Sequence, residues 1–385
     1  MTASTNETQM LSDDPRTIAA AGASEPARRT AGIGLAVFMA AAVASLAWGE
    51  AVERVELLPP GITAPRVLDG TVSGQISERL ARLPLPGEAA RLQRGLGWLA
   101  LGDLGPQVRR GCPGWLFLRS ELQVHRDGEA HARARAQTVA QVRQALAARG
   151  IGLLVAVVPD KTRIEAEHLC GLERPAALAS RVAGWTALLA AQGVPVVDLA
   201  PALRAVRPDA FLRTDTHWNE TGAGAAARAV AERIRAAGTA LEPPARYEVK
   251  PRPPGLRPGD LVRLAGLDWL PLAWQPEPEV VQEHDYVAQA AAAESADDLF
   301  GDAKLPAIAV IGTSYTRTSN FVPQLAQELG AAVGNFGRDG GEFGGGARAY
   351  FSSPAYRQTP PRLIVWEIPE RDLQSPITEN DTVQP

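Results

Sequence analysis

Ile308-Ala-Val-Ile-Gly-Thr-Ser-Tyr-Thr316 is the stretch on which the reading of this chain turns. Apolar residues 308–311 run without a break into Gly312 and then into a cluster of hydroxyl side chains. The run predicts a buried strand, the glycine a tight turn, and the residues from about Thr318 to Leu329 a helix. In open α/β sheets ligands gather at the carboxyl ends of the strands, so this order delivers Ser314 to the edge where chemistry is done. Gly312 permits the sharp bend, and the helix N-terminus beyond it offers unpaired backbone N–H groups to a developing oxyanion. A plain strand–turn–helix in which Ser314 caps the helix fits this segment equally well. The rest of the chain has to decide.

Working outward, strand-like and helix-like patterns alternate. Ile151–Val158, Val194–Leu199, Ala331–Phe336 and Arg362–Ile368 read as strands, the first as a continuous apolar run of the kind covered on both faces. Ala130–Arg149, Pro175–Gln192 and Glu220–Ala237 read as helices. Alternation of this kind predicts a mostly parallel sheet with helices on both sides. The globular domain is expected over 111–373, opening at Gly111-Cys-Pro-Gly-Trp-Leu-Phe-Leu118 as a turn and an apolar strand. Residues 241–305 are rich in proline and alanine and read as an irregular excursion, with Arg252–Asp260 outside regular structure. Residues 374–385 read as a polar tail.

The formal net charge is −4 and no basic run is interleaved with aromatics, so nucleic acid is not an expected partner. Cys112 and Cys170 stand in unrelated contexts with no CxxC pair, which speaks against a zinc site, and no metal is implied. They form a disulfide candidate if the domain lies outside the cytoplasm.

That compartment is set by the N-terminus. Residues 1–30 read as a polar, disordered cytoplasmic tail. Ala31–Trp48 carries no charge and, at roughly 18–20 residues, is long enough to cross a bilayer as a helix. Arg28 and Arg29 precede it and Glu50, Glu53 and Glu56 follow it, flanks that favour export of the bulk of the chain. We therefore expect a transmembrane anchor over 31–49, with a cleaved signal peptide as the competing reading because Ser45-Leu46-Ala47 resembles a cleavage site. Residues 50–110, broken by prolines, read as a linker with short helices.

A hydroxyl nucleophile needs a base to take its proton and a carboxylate to orient that base. Of the five histidines, His125, His131, His168 and His284 sit in contexts that suit surface or structural roles. His217 stands apart, in Thr214-Asp-Thr-His-Trp-Asn-Glu-Thr-Gly222, with Asp215 two residues before it and Asn219 or Thr221 available to cap the next helix.

The Asp-x-His-Trp segment, the later Gly-Thr-Ser-Tyr and the terminal Trp366-Glu-Ile-Pro-Glu-Arg371 together resemble the alginate O-acetyltransferase family of the AlgJ/AlgX type. Gly111–Leu118 is similar to that family's opening Gly-x-x-Gly-Trp-Leu-Phe segment, and Val158-Pro-Asp-Lys161 to its Pro-Asp-Lys strand end. The resemblance implies an SGNH-hydrolase-like α/β/α sandwich in circularly permuted order. It also implies Ser314 as nucleophile, His217 as base and Asp215 as orienting acid. The chain order Asp, His, Ser speaks against an α/β-hydrolase, in which the serine leads.

Ser314's own N–H is a natural oxyanion donor, with Gly345 or Gly346 of the glycine-rich loop as second donors. Arg371 is expected to supply positive charge there or else to pair with Glu367 or Glu370. Tyr315 either contacts substrate or packs. AlgX-type members carry an added carbohydrate-binding module where this sequence has only the short tail, so the chain resembles the shorter AlgJ-like branch.

The expected function is an O-acetyltransferase acting on an exopolysaccharide in the periplasm, anchored in the inner membrane. No cofactor is implied. Acetyl-CoA is cytoplasmic, so a membrane-bound O-acyltransferase is the expected acetyl donor. A polysaccharide deacetylase with the same three residues, or a non-catalytic scaffold of a secretion assembly, are the alternatives.

Overall fold

The computed structural model describes residues 25–52, 56–239, 246–289 and 306–385. They fall into two units, one ending at Gln93 and one running from Arg94 to the C-terminus.

In the first unit the apolar N-terminal run is a single helix, Glu25–Ala51. It begins earlier than expected, so residues 25–30 extend the helix and belong to no tail; residues 1–24 of that expected tail lie outside the described residues. Ile33, Leu35, Val37 and Phe38 are exposed along it. By length and composition, Arg29–Ala51 is long and apolar enough to cross a membrane. Short helices follow at Ala64–Leu68 and Thr71–Ala81.

The second unit begins before Gly111. Strand β1 (Val108–Arg110) pairs antiparallel with β2 (Leu116–Leu118), so part of the expected linker belongs to the folded body. Next come β3 (Gly152–Val158) and β4 (Val196–Asp198), then β5 (Arg246–Pro251), β6 (Gly255–Arg257), β7 (Glu279–Val281) and β8 (His284–Gln289). The last three are β9 (Ile308–Ile311), β10 (Val333–Asn335) and β11 (Leu363–Pro369).

Five of these build a parallel sheet in the order β10-β9-β11-β3-β4. Alternation sorts each strand between two cores, since successive side chains point to opposite faces. Leu154, Ala156, Val158, Ile308, Val310 and Val365 enter one core, under helices Glu220–Ala236 and Phe321–Leu329. Leu153, Val155, Val157, Ala309, Ile311 and Ile364 enter the other, under helices Gly128–Ala147 and Arg181–Ala191. Coverage on both faces is why β9 and β11 are buried along their full length and read as unbroken apolar runs.

Two expectations fail here. The excursion is not structureless: β5 pairs with β8, β6 pairs with β7, and Asp260–Leu264 is a short helix. Arg252–Asp260 therefore contains a strand; residues 240–245 and 290–305 lie outside the described residues. Nor is 374–385 a free tail. Asp381 accepts from the buried Arg135 guanidinium at 2.5 and 3.1 Å, and Val383 is part of the second core.

Candidate active site

Pro369 lies opposite Val158, and Ile311 opposite Trp366, so the carboxyl ends of β3, β9 and β11 open on one edge of the sheet. Beyond β9 the chain turns at Gly312, whose φ of +147° is a conformation that favours glycine. A Cβ there would lie 2.6 Å from the Glu367 carbonyl oxygen. The turn is tied down by Glu367, whose Oε2 accepts from the Thr313 N–H at 2.6 Å and from its hydroxyl at 2.9 Å. Burial pushes the Glu367 carboxyl up to about 7, against those bonds and the Arg371 charge. Ser314–Thr316 is a single 3₁₀ turn, and the α-helix starts at Phe321, later than expected.

Asp215 and His217 come from a loop closed by a bridge between Phe211 and Trp218 and by Asn219, which caps the following helix through the Gly222 N–H at 2.8 Å. Beneath the loop, the fully buried Lys161 ammonium donates to the carbonyls of Leu116 at 2.7 Å, Arg213 at 2.9 Å and Asp215 at 3.0 Å. Burial lowers that lysine to about 8 although the charges of Glu121, Glu279, Asp215 and Asp260 oppose the shift.

The two segments meet. His217 Nε2 lies 2.7 Å from Ser314 Oγ, and His217 Nδ1 lies 2.6 Å from Asp215 Oδ1. Burial alone would raise the Asp215 carboxyl; the hydrogen bonds and charge of His217, with help from Arg257, outweigh it and hold the group well below the carboxylate range. The three side chains line a groove of about 750 Å³ together with Arg257, Asp260, Arg263, Arg317, Asp339 and Arg371, among others. A serine hydroxyl, an imidazole and a low-pKa carboxylate in this sequence of contacts can activate the hydroxyl for attack on an acyl carbon.

Residues 108–370 match the family model described as the SGNH hydrolase-like domain of the acetyltransferase AlgX. The chain belongs to this ALGX family. It is 30% identical over 295 residues to a probable alginate O-acetylase AlgJ of Azotobacter vinelandii, covering 75% of this chain and 76% of that one. It is 34% identical over 278 residues to the Pseudomonas aeruginosa protein of the same description, covering 70% and 71%. Among solved structures, the O-acetyltransferase domain of Pseudomonas putida AlgJ superposes with a TM-score of 0.62 at 26% identity, covering 72% of this chain and 95% of that one.

Within this ALGX-family domain several expected positions fall elsewhere. Gly345 lines a separate surface depression with Arg338, Arg348 and Asn380, and its N–H is taken by the Gly341 carbonyl at 2.7 Å. Gly346 packs so closely on the turn that a Cβ would sit 2.2 Å from the Gly312 carbonyl oxygen. Neither glycine lines the groove; from their loop, Asp339 and Gly340 do. Tyr315 packs: it is fully buried, its hydroxyl donates to the Thr216 carbonyl at 2.9 Å, and its ring supports His217 edge-on at 5.0 Å.

Arg371 does line the groove, 5.5 Å over the Tyr315 ring. Its two expected partners are engaged elsewhere, Glu367 by Thr313 and Glu370 by Arg163 and Arg174. Cys112 and Cys170 are bonded to each other, Cα to Cα 5.1 Å, away from the groove. His131 meets the Gln374 carbonyl, His168 meets Asp209 at 3.0 Å, and His284 meets Glu220 at 2.9 Å, none of them in the groove.

Sequence reasoning missed Arg257 and Asp260, both in the excursion. Arg257 Nε is 3.8 Å from Asp215 Oδ2, and Asp260 accepts from the Thr216 N–H at 2.7 Å and from its hydroxyl. The available signal was Pro258-Gly-Asp followed by Leu261, Val262 and Leu264, a helix start with a buried face.

Proposed function

We propose that this chain is an O-acetyltransferase that carries acetyl on Ser314 and passes it to hydroxyls of an alginate-like exopolysaccharide in the periplasm. The observation that carries the reading is the hydrogen-bonded run Asp215–His217–Ser314, with contacts of 2.6 and 2.7 Å, opening on the groove. Membership of a family described by an acetyltransferase, and relatives described as alginate O-acetylases, support the acetyl group and the polymer.

His217 Nε2 takes the Ser314 proton as Oγ bonds to the acetyl carbon of the donor. The adduct collapses, the donor's oxygen or sulfur leaves with that proton, and acetyl-serine remains. A sugar hydroxyl then gives its proton to His217 as it attacks the same carbon; Ser314 Oγ leaves and regains the proton. Asp215 holds the imidazole with Nδ1 protonated and stabilises the imidazolium. The Ser314 N–H and the Arg371 guanidinium are assigned to the oxyanion. The donor is a membrane-bound O-acyltransferase carrying acetyl from the cytoplasm. The helix over Arg29–Ala51 supports anchoring in the inner membrane beside it, where tethering raises the effective concentration of the two sites.

The test uses the full chain in detergent with p-nitrophenyl acetate as donor and an unacetylated mannuronate oligosaccharide as acceptor. Acetylated sugar is expected, and Ser314→Ala is expected to lower transfer at least about 1,000-fold with an unchanged melting temperature. Release of acetate to water with no acetylated sugar would establish an esterase instead. A Ser314→Ala chain that still transfers acetyl would overturn the reading altogether.

A further inference from the structure

The imidazole of His217 faces two carboxylates, of which the reaction as written uses one. Asp215 Oδ1 lies 2.6 Å from Nδ1 and Asp260 Oδ2 lies 3.6 Å from the same atom. The two acids come from different segments of the chain. Asp215 belongs to the loop before helix Glu220–Ala236, and Asp260 opens the short helix of the excursion.

Asp260 is held there by several independent contacts. Its Oδ1 accepts from the Thr216 N–H at 2.7 Å and its Oδ2 accepts from the Thr216 hydroxyl, which itself lies 3.4 Å from His217 Nδ1. Its own N–H reaches Asp215 Oδ2 at 3.3 Å. The neighbouring Gly259 presses so closely on the loop that a Cβ would lie 1.8 Å from the Thr214 carbonyl oxygen. The side chain keeps 18% exposure, on the groove.

We propose that Asp260 is a positioning residue for the acetyl transfer, a second negative charge on the Nδ1 side of His217 that steadies the imidazolium and accepts its Nδ1–H when Asp215 is neutralised. The inference rests on the reading of His217 as the base. Two anions set side by side repel each other while the imidazole is neutral. A proton arriving on Nε2 from Ser314 places a positive charge beside both, so the interaction is strongest when the transition state is approached, which is the condition for it to speed the reaction. At 3.6 Å the Asp260 contribution is Coulombic, with no direct hydrogen bond to the ring.

The neighbouring charges fit this arrangement. Burial, and after it the Asp215 charge, push the Asp260 carboxyl above its ordinary value, and His217 and the two Thr216 bonds offset that only in part. Arg257, from β6, stands 3.8 Å from the far oxygen of Asp215 and also pairs with Glu283, so it neutralises the pair only in part. Lys161 approaches from below with its protons committed to carbonyls, and Arg263 and Asp268 stand on the groove wall.

The experiment is a pH profile of kcat/KM for acetyl transfer by the full chain, for wild type, Asp260→Asn and Asp260→Glu. Asparagine keeps an acceptor for the Thr216 N–H, so the melting temperature should hold. Removing the negative charge makes the imidazolium easier to deprotonate, so the acid limb of Asp260→Asn should move down by about one pH unit, and Asp260→Glu should move it back. The doubly neutralised Asp215→Asn, Asp260→Asn chain should fall about tenfold or more below Asp215→Asn alone. An Asp260→Asn acid limb that does not move, or a double variant no worse than Asp215→Asn, would overturn the proposal. Those outcomes leave the parent reading intact, because that reading stands or falls on the loss of transfer in Ser314→Ala.

Discussion

The five-stranded sheet and the excursion over 246–289 contribute to the same groove by opposite means. The sheet strands β3, β9 and β11 lie almost wholly buried between two cores, and they fix Ser314 through backbone geometry that tolerates no side chain at Gly312. The excursion strands β5, β6 and β8 are mostly exposed, while the excursion's short helix packs Leu261 and Val262 into a small core with Val108 and Leu116. They reach the site through a few polar anchors, among them the Thr214 N–H on Glu279 at 2.8 Å and the Thr216 N–H on Asp260 at 2.7 Å. Ser314 is thus set by packing, and the charges around His217 are set largely by hydrogen bonds at the edge of the groove. Damage to the first should unfold the protein, whereas damage to the second should leave it folded and slow.

Four substitutions can break or sharpen that contrast. Gly312→Ala should have the largest effect, since the added Cβ meets the backbone and side chain of Glu367; a loss of roughly 3–5 kcal/mol, or no folded chain, is expected in chemical denaturation. A Gly312→Ala chain of near-normal stability would sink the claim that the turn is fixed by packing.

Next comes Glu367. Its folded value of about 7 lies above the ordinary 4.5, so its contribution is greatest below about pH 4.5 and is lost as pH rises through 7. Stability of the wild type should therefore decline across that window relative to Glu367→Gln, by an amount of order 3 kcal/mol at most. Parallel stability curves for the two would count against it.

Thr216→Val tests the rim. Valine keeps the backbone N–H bond to Asp260 and removes the hydroxyl that donates to it, so transfer should fall about 10-fold while stability changes by only about 1–2 kcal/mol. Loss of stability equal to that of Gly312→Ala would show that the two regions are not different in kind. The smallest effect belongs to Leu256→Ser on β6. That side chain is exposed, and stability should stay within about 0.5 kcal/mol of wild type.

The legibility of each part follows the same division. The central strands β3, β9 and β11 were readable because burial on both faces leaves a nearly unbroken apolar run, and the helix Glu220–Ala236 was readable from its alanine content. Ser314, His217 and Asp215 were readable as chemistry in search of a partner. The ribbons β5–β8 and β6–β7 were not readable, because three-residue strands and exposed ribbons show no period to count. The C-terminal segment was misread for a related reason: its anchors, the buried ion pair of Asp381 with Arg135 and the packing of Val383 in the second core, join residues far apart in the chain.

By itself, the amino-acid order determined the strand-and-helix alternation, the glycine at the serine turn and the apolar N-terminal helix, and it singled out Ser314, His217 and Asp215 as candidates. Such features depend on neighbours along the chain, where burial and backbone freedom leave a local pattern. Only the tertiary structure decided that Cys112 meets Cys170, that Gly345, Gly346 and Tyr315 stay out of the groove, and that Asp260 comes within 3.6 Å of the His217 ring. Those outcomes depend on contacts between segments tens to hundreds of residues apart, and no local period records a distance through space.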